Sequence, residues 1–302
     1  MGKRAPSGWE GFLNLAKPAG PSSGDCVYRL RRLLGERRIG HGGTLDPGVR
    51  GVLPVAVGTA TRLLNYLPGG KAYRAVVRLG VRTDTDDLEG AVLSAAPVPE
   101  LARQTVEEAL AAFRGEIAQT PPRYSAVRQG GKRLYDLARA GRAPDLADIP
   151  SRQVVIAALT VVAWHPGEFP EIVFDVECSA GTYIRAIARD LGEKLGCGAT
   201  LAALVRTRAG HFRLADSLDF ETIEAQLASG NLRLLGPETA LAHLPTVQLA
   251  GAEARAFRCG RALPQPEEPT GICQVWQWEG PFLGIGRLEG GLLHPTAVLM
   301  PA

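Results

Sequence analysis

Two runs of mainly β-branched and aliphatic residues place the strongest constraint on the fold of this chain. VVIAALTVVAW (154–164) and EIVFDVECS (171–179) follow each other closely and are typical of paired strands in a sheet. VRGVLPVAV, AYRAVVRLG and TRAGHFRL also predict strands, and AYRAVVRLG alternates polar with apolar residues. With the helical segments between them, these runs predict an α+β fold in which a mixed, largely antiparallel sheet is flanked by helices.

Four segments show the apolar spacing of helices. SSGDCVYRLRRLLGERR is predicted to be capped by Ser22 or Ser23, because a serine hydroxyl accepts a hydrogen bond from the first turn. TVEEALAAF carries Thr105 followed by Glu108, which predicts a capping box. The other two are GTYIRAIARDLGEKLG and DFETIEAQLASG, and Asp219 is expected to cap the last helix.

The composition changes near residue 245. From there onward the chain consists of short apolar runs broken by Gly and Pro, such as VQLA, ICQVWQWEG and FLGIGRLEGG. This pattern predicts a first domain over residues 1–244 and a small all-β module over residues 245–302.

Composition and charge predict a folded protein of the cytoplasm. The chain has 302 residues, of which 45% are hydrophobic and 22% charged, and its net charge is +3. No apolar run approaches the ~18 residues that span a bilayer, and the N-terminus lacks the apolar core of a secretory signal. The five cysteines are scattered and form no CxxC pair, so we expect neither a disulfide framework nor a cysteine metal cluster.

Residues 119–152, QTPPRYSAVRQGGKRLYDLARAGRAPDLADIPSR, interrupt the regular pattern. The segment contains seven basic residues and three aspartates, an excess of four positive charges. The basic residues are Arg123, Arg128, Lys132, Arg133, Arg139, Arg142 and Arg152. Tyr124 and Tyr135 lie among these charges. We refer to this segment as the basic insertion. It suits a partly unstructured nucleic-acid contact that becomes ordered on binding, and an ordinary solvated loop is the alternative.

Several common catalytic motifs do not occur in the sequence. The glycines of GHGGTLD fit neither GxxxxGK[ST] nor GxGxxG after a strand, so neither a P-loop nor a dinucleotide site is predicted. The five histidines are far apart, and there is no GxSxG motif. We therefore expect a site that uses no metal and no cofactor.

Asp46 is the one carboxylate in the stretch GHGGTLDPGVRGVLPVAVG, residues 40–58. In its Asp-Pro context it could be a turn residue, or it could be a covalent nucleophile towards an electrophilic carbon. A nucleophilic carboxylate has to stay ionised where water is excluded, and this requires a cation or hydrogen-bond donors nearby. Arg185, in the first turns of a predicted helix, is one candidate for that cation. The residues alone leave both interpretations open.

Five blocks of sequence resemble the tRNA pseudouridine synthases of the TruB type. In chain order they are LAKPAGPSSGDCV, GHGGTLDPGVRGVLPVAVGTATR, YRAVVRLGVRTDTDDLEG, QTPPRYSAVRQGGKRLYDLARAG and CSAGTYIRAIARDLGEKLGCGATLAALVRTRAGHF. The blocks cover roughly residues 12–213, in the order found in that family. The C-terminal module resembles a PUA RNA-binding domain, although this match rests on composition only.

The resemblance implies a pseudouridine-synthase catalytic domain over residues 1–244 and a barrel-like sheet in the C-terminal module. It also implies the isomerisation of uridine to pseudouridine in the T-loop of tRNA, at position 55. The aspartate of the GTLD motif, Asp46, would be the nucleophile, and neither a metal nor a cofactor would be needed. Attack on ribose C1′ and attack on uracil C6 are both open. The implied partner is tRNA, gripped at its T-arm by the basic insertion. No membrane and no guide RNA are expected, and the chain is expected to act as a monomer.

The same resemblance implies roles for individual side chains around a uridine that has been flipped out of its stack. His41 would take part in the flip and occupy the vacated space. Tyr73 would stack on the flipped base and is a candidate for the final proton abstraction. Tyr183 and Leu204 would line the uracil pocket.

Further roles concern the catalytic aspartate and the RNA backbone. Arg185 would pair with the aspartate, and Asp87 would pair with Arg185 from its other side. Lys17 and Pro18 would buttress the catalytic loop. The basic residues implied to contact the RNA backbone are Arg123, Arg128, Lys132, Arg133 and Arg139.

Four positions depart from the family pattern. They are Val49 and Arg50 after LDP, Thr200 where histidine is common, and Val205 where arginine is common. None of these four residues has a proposed role in the chemistry, so the implied activity is unaffected.

Two other functions stay open: a non-catalytic RNA-binding or tRNA-folding protein, and a synthase that is guided by a partner RNA or acts on ribosomal RNA. The length of the chain and its continuous insertion favour the stand-alone tRNA enzyme.

Overall fold

The computed structural model describes residues 8–265 and 270–299. Its strands are β1 (Gly11–Lys17), β2 (Ile39–His41), β3 (Arg50–Val57), β4 (Lys71–Leu79), β5 (Val81–Thr83), β6 (Val92–Ala95), β7 (Gly115–Gln119), β8 (Arg128–Gln129), β9 (Lys132–Arg133), β10 (Arg152–His165), β11 (Glu171–Cys178), β12 (Ala199–Ala209), β13 (Phe212–Arg213), β14 (Thr246–Leu249), β15 (Leu263–Pro264), β16 (Gly271–Gln277), β17 (Phe282–Glu289) and β18 (Leu292–Val298). Its α-helices are α1 (Ser23–Leu34), α2 (Arg103–Ala111), α3 (Leu134–Arg139), α4 (Ile184–Lys194), α5 (Phe220–Ala228), α6 (Pro237–Ala240) and α7 (Gly251–Arg258). Within the two described ranges, no helix combines the length and apolar character needed to cross a membrane.

The chain divides into two compact units. The first unit is drawn from Met1–Pro47, Gly51–Pro68 and Ala209–Ala302, and the second from Gly48–Arg50 and Gly69–Arg208. The first unit is therefore assembled from three separate stretches of sequence, whereas the second is almost continuous.

In the first unit, β1 lies antiparallel to β3, and the two strands pair from Gly11↔Val57 to Lys17↔Gly51. The short strand β2 also pairs antiparallel with β3, at Ile39↔Val57 to His41↔Val55. The strand predicted from VRGVLPVAV is thus confirmed. The loop from β2 to β3 carries Asp46.

Helix α1 has the predicted serine cap. The Ser22 hydroxyl accepts a hydrogen bond from the Asp25 N–H at 3.1 Å, and the Asp25 carboxylate accepts one from the Ser22 N–H at 2.9 Å. The helix ends at Gly35, whose φ of 62° is left-handed and suits glycine. Its apolar face packs on β1, β3 and α5 in one buried cluster that includes Cys26, Leu30, Leu13, Leu53 and Phe220. The predicted Asp219 cap of α5 is also confirmed, with a 2.8 Å hydrogen bond from Thr222 N–H.

A five-stranded sheet forms the C-terminal part of the first unit, in the order β14-β16-β17-β18-β15. β14 is parallel to β16, and the other neighbours are antiparallel. The strands and the barrel-like sheet predicted here are confirmed, since the sheet curls into a half-barrel. The all-β prediction is wrong in one respect. Gly251–Arg258 forms helix α7, and its fully buried Phe257 fills the core of this sheet. Eight residues, or about two helical turns, give only a weak apolar periodicity beside the surrounding strand patterns.

The C-terminal sheet shares a hydrophobic cluster with N-terminal strands of the same unit. Ile285 and Ala297 lie in one buried cluster with Phe12, Val52 and Phe212. Burial of this apolar surface stabilises both parts of the unit. The division into domains at residue 245 stays a prediction.

In the second unit the strands lie in the order β12-β4-β11-β10-β7. β10 and β11 are antiparallel neighbours, as predicted from their sequences. β4 pairs with β11 from Lys71↔Cys178 to Arg78↔Glu171, and along most of its length buried and more exposed residues alternate, as predicted. The predicted α+β fold with a largely antiparallel sheet is confirmed.

The predicted strand TRAGHFRL is interrupted. β12 ends at Ala209, and β13 begins only at Phe212. Gly210 between them has a φ of 58°, and this left-handed conformation breaks the extended backbone. The prediction of one continuous strand is therefore wrong.

The predicted capping box at Thr105 is also wrong. Helix α2 begins two residues earlier, at Arg103, and the N-cap residue Ala102 gives no side-chain hydrogen bond. The Glu108 carboxylate accepts a hydrogen bond from the Gln104 side chain at 2.9 Å. Because these two residues lie one helical turn apart, their contact stabilises the helix surface instead of capping its end.

Candidate active site

Asp46 is half-buried. The preceding residue, Leu45, is held by hydrogen bonds to both its N–H and its carbonyl. The Ser23 hydroxyl, in the first turn of α1, accepts a hydrogen bond from the Leu45 N–H at 2.9 Å and donates one to the Leu45 carbonyl at 3.0 Å. Ser23 and Leu45 are both buried, at 2% and 4% exposure. The start of α1 therefore anchors the chain as it enters Asp46.

Lys17 anchors the other side of Asp46. Its side chain is only 1% exposed, and its ammonium group donates hydrogen bonds to the carbonyls of Pro18 and Pro47 at 2.9 and 3.0 Å. The Gly20 N–H donates to the same Pro47 carbonyl at 2.9 Å. An ammonium group is costly to remove from water, so a buried lysine is kept in place by such acceptors. These are the contacts expected of a residue that buttresses the loop.

The glycines of GHGGTLD permit the tight turn that carries Asp46. A Cβ on Gly42 would come within 2.7 Å of the Leu67 side chain. Gly43 has a φ of 123°, a conformation that side chains of L-residues rarely adopt. Asp46 is thus a residue of a constrained turn, and such a turn can also present a reactive carboxylate.

Tyr73 lies on β4 in the second unit and is 7% exposed. The guanidinium of Arg206, on β12, forms a hydrogen bond with the Tyr73 side chain. Arg206 is fully buried; burial lowers its pKa, and the interaction with Tyr73 raises it again. No sequence pattern distinguishes Arg206, because an arginine inside a strand pattern is ordinarily solvent-exposed.

Arg185 lies in the first turn of α4 and is 7% exposed. Its guanidinium lies 3.5 Å from the Asp87 carboxylate, so the predicted ion pair with Asp87 is present. It also donates to the carbonyls of Thr85 and Tyr124 at 3.0 and 2.9 Å. Asp87 is held in turn by the Thr85 hydroxyl at 2.6 Å. These contacts with Asp87, Thr85 and Tyr124 therefore fix the orientation of the Arg185 guanidinium.

A second buried ion pair, between Arg189 and Asp86, lies one turn further along α4 and was not predicted. The two side chains are 3.2 Å apart. Asp86 has a φ of 62°, which is unusual for a residue other than glycine. Burial raises the pKa of Asp86 to about 6, against the opposing effect of Arg189 and Arg185. The spacing of the two arginines, i and i+4, was the available signal, because it places both on one helix face.

Tyr183 immediately precedes α4 and acts as its N-cap residue, without a side-chain cap. Its ring packs against the buried cluster of the basic insertion, formed by Val127, Leu134 and Ile149. Leu204 lies on β12 and is half-buried. Both residues predicted to line a uracil pocket thus belong to the second unit.

The basic insertion contains regular elements as well as irregular stretches. It contains the hairpin β8–β9 and the helix α3, joined by their own small apolar core. Val127, Leu134 and Ile149 are each less than 9% exposed. Residues 120–127 and 140–145 form neither helix nor strand, so part of the segment is irregular, as expected. The scattered apolar residues are too few to give a periodic signal, yet they meet once the hairpin forms.

Four of the five cations implied to contact RNA point into solvent. Arg128, Lys132, Arg133 and Arg139 are exposed, and the guanidiniums of Arg133 and Arg139 lie 5.9 and 5.7 Å from the centre of the Tyr135 ring. Cations near an aromatic face are attracted to it, which limits their rotamers. Arg123 is half-buried and lies 3.5 Å from Asp145.

The predicted site residues fall into two sets. Asp46, His41 and Lys17 belong to the first unit, where His41 ends β2 and pairs in register with Val55. Tyr73, Asp87, Tyr183, Arg185 and Leu204 belong to the second unit. The roles of these side chains, and the pairing of Asp46 with Arg185, stay proposals.

Three family profiles match this chain. Residues 31–184 match the N-terminal domain of the TruB family pseudouridylate synthases. Residues 185–240 match the tRNA pseudouridylate synthase B C-terminal domain, and residues 245–299 match the C-terminal domain of pseudouridine synthase II TruB.

The chain is also similar to named relatives and to solved structures. It is 56% identical over 291 residues to tRNA pseudouridine synthase B of Gloeobacter violaceus, covering 96% of this chain and 99% of the relative. It is 49% identical over 296 residues to tRNA pseudouridine synthase B of Synechocystis sp., covering 96% of this chain and 99% of the relative.

A chain in the crystal structure of a Cbf5-Nop10-Gar1 complex aligns with a TM-score of 0.73 at 26% identity, over 96% of this chain and 85% of that chain. A chain in the structure of an H/ACA RNP bound to a substrate RNA containing 2'-deoxyuridine aligns with a TM-score of 0.72 at 25% identity, over 96% and 85%. The chain therefore belongs to the TruB family of pseudouridylate synthases.

Proposed function

We propose that this protein isomerises uridine to pseudouridine in the T-loop of tRNA, at position 55, and that Asp46 is the nucleophile. The relatives in Gloeobacter and Synechocystis are named tRNA pseudouridine synthases, which supports tRNA as the substrate. The observation that carries the proposal is the half-buried Asp46 carboxylate between two anchored neighbours, Leu45 and Pro47. A carboxylate with a fixed direction can approach an electrophilic carbon without first losing conformational freedom.

The proposed reaction rearranges bonds within one nucleotide. The Asp46 carboxylate attacks the substrate and forms a covalent intermediate, and the bond from ribose C1′ to uracil N1 breaks. The uracil turns while it is held, and its C5 then forms a bond to C1′. The bond between Asp46 and the substrate breaks, which regenerates the free carboxylate. C5 loses a proton and N1 regains one, so the product is an isomer of the substrate. Ser23 and Lys17 contribute by keeping the carboxylate in position.

Arg185 is the cation that we propose for Asp46 in the working enzyme. Its guanidinium is buried and oriented by Asp87 and two backbone carbonyls, so little reorganisation is needed for it to stabilise a second carboxylate. Arginine suits this role because its planar fork donates several hydrogen bonds at once.

The target uridine has to leave its stack before Asp46 can reach it. Unstacking costs a few kcal/mol, and stacking on one aromatic side chain returns about 1–3 kcal/mol. Tyr73 is the proposed stacking partner, and His41 would occupy the space left by the base. Tyr183 and Leu204 would line the pocket for the turned uracil. Arg206, next to the Tyr73 side chain, would stabilise the phenolate form of Tyr73, which then accepts the proton from uracil C5.

Incubation of the purified protein with an unmodified tRNA transcript, followed by chemical mapping of pseudouridine, tests this function. We expect product at one T-loop uridine without any partner RNA or added cofactor. A transcript in which that uridine is replaced by cytidine is the control and should give no product. Tight tRNA binding without product would favour a tRNA-folding chaperone, and product only with a partner RNA would favour a guided enzyme.

The basic insertion is the proposed grip on the T-arm. Replacing Arg128, Lys132 and Arg133 by glutamine should weaken tRNA binding and reduce the slope of log K against log salt by about 2–3, because each phosphate contact displaces a counterion. Titrations at several salt concentrations measure this slope. Arg103→Gln in α2, another exposed arginine of the second unit, is the matched control. An unchanged slope in the triple variant would show that the insertion does not contact the RNA backbone.

A further inference from the structure

Gln119 is the last residue of β7, and it uses both ends of its side-chain amide on one residue. Its Nε2 donates to the Tyr183 carbonyl at 3.0 Å, and its Oε1 accepts from the Tyr183 N–H at 2.8 Å. The side chain is only 1% exposed. It therefore pairs with Tyr183 in the way that the backbone of a neighbouring strand would.

Tyr183 depends on such a partner because it stands at the start of α4. Helix starts leave backbone groups without partners inside the helix, and Tyr183 provides no side-chain cap of its own. By fixing both backbone groups of Tyr183, Gln119 sets the direction in which the chain enters α4. That direction determines where the Tyr183 ring points. It also determines from which position the Arg185 side chain, two residues later, extends.

The same junction holds the start and the end of the basic insertion. Gln119 pairs in register with Arg152, the last residue of the insertion. From α4, Arg189 donates to the carbonyl of Thr120 at 2.8 Å. The segment that is proposed to grip RNA and the helix that carries Arg185 thus share one buried amide as a common point of attachment.

We propose that Gln119 is a positioning residue for the pseudouridine synthase reaction, which aligns Tyr183 and Arg185 with the flipped uridine. The inference rests on the proposed function, in which these two residues act on the uracil and on the nucleophile. Gln119 acts through Tyr183, so its loss should slow the reaction of bound tRNA while leaving the affinity for tRNA nearly unchanged.

The first test compares Gln119→Met with Gln274→Met. Gln274 is also a buried amide, 6% exposed, whose side chain donates to the Leu244 carbonyl and accepts from the Trp276 indole, but it lies in the C-terminal sheet. For Gln119→Met we expect the single-turnover rate at saturating tRNA to fall about 10²-fold, the effect of a misplacement near 1 Å, with the tRNA Kd within about 3-fold of wild type. Gln274→Met should keep the wild-type rate even if its melting temperature falls as far.

The second test uses Gln119→Glu and the pH dependence of the rate. The introduced carboxylate can accept from the Tyr183 N–H but repels the Tyr183 carbonyl, whereas a protonated carboxyl can donate to that carbonyl. Burial raises the pKa of a carboxyl group, so the ratio of variant to wild-type rate should rise as the pH falls from 8 to 5.5. The ratio for Gln119→Met should stay flat over this range, because methionine does not titrate.

Each outcome decides the inference. A wild-type-like rate for Gln119→Met, an equal loss of rate in Gln274→Met at the same loss of stability, or a change confined to the Kd would overturn it. If Gln119→Met does not fold, a flat rate ratio for Gln119→Glu would also overturn it. Wild-type protein that forms no pseudouridine overturns the proposed function itself, which distinguishes that failure from a failure of the Gln119 inference.

Discussion

Asp46→Asn should lower the rate of pseudouridine formation by about 10⁴-fold or more, because a carboxamide cannot form the covalent intermediate. Losses of this size are typical when a nucleophile is removed. Asparagine has nearly the same shape as aspartate, so the hydrogen bonds of Ser23 to Leu45 and of Lys17 to Pro47 should survive. We therefore expect the tRNA Kd to stay within a few fold of wild type, measured in parallel with the single-turnover rate.

Asp25→Asn is the matched control for this experiment. Asp25 is another carboxylate close to the same loop, but it belongs to the capping box of α1 and is exposed. Its loss should cost some helix stability, on the order of 1 kcal/mol, and leave the rate at saturating tRNA unchanged. If Asp46→Asn still turned over at more than a hundredth of the wild-type rate, Asp46 would not be the nucleophile.

Arg185→Lys should lower the same rate by about 10²- to 10³-fold. Lysine keeps the positive charge, but its single ammonium group cannot reproduce the planar fork that contacts Asp87, Thr85 and Tyr124. Loss of one oriented donor at an active site typically costs about 10²- to 10³-fold in rate, or about 2.7–4 kcal/mol of transition-state stabilisation. Single-turnover kinetics at saturating tRNA separate this effect from weaker binding.

Arg189→Lys provides the comparison for Arg185→Lys. Arg189 lies on the same face of α4, is equally buried and forms its own pair with Asp86. Its replacement should lower the melting temperature to a similar extent, while the rate falls by less than about 10-fold because Arg189 has no proposed contact with the nucleophile. Equal losses of rate in the two variants would mean that Arg185 acts only by stabilising the helix.

The regular elements of this fold could be predicted from local sequence patterns. β4, β10 and β11 carry the period-two or continuous apolar patterns of strands, and α1 and α5 carry side-chain caps that the structure contains. The predictions failed at α2, where a competing contact decided the outcome, and at α7, where the apolar pattern was too short. At α2, the Glu108 carboxylate accepts a hydrogen bond from the Gln104 side chain and does not cap the helix. At α7, eight residues give too short a periodic signal among strands.

The candidate site was less accessible to the same reasoning. Asp46 by itself fits a turn as well as a nucleophile, and only the family resemblance favoured the second interpretation. The buried partners were harder still: Arg206, Asp86 and Gln119 are polar residues whose partners are far away in sequence, at Tyr73, Arg189 and Tyr183. Because local patterns carry no information on such pairs, these contacts emerge only from the three-dimensional arrangement.

The discontinuous first unit has a consequence for the order in which the protein forms during synthesis. Its clusters join Phe12 and Val52 to Ile285 and Ala297, so its core stays incomplete until almost the whole chain has been translated. The second unit is nearly continuous over Gly69–Arg208 and can close its own core much earlier. The nascent chain would thus expose the apolar faces of β1 and β3 on the ribosome for many seconds, at about 5–20 residues per second, which makes this stretch the expected point of chaperone engagement.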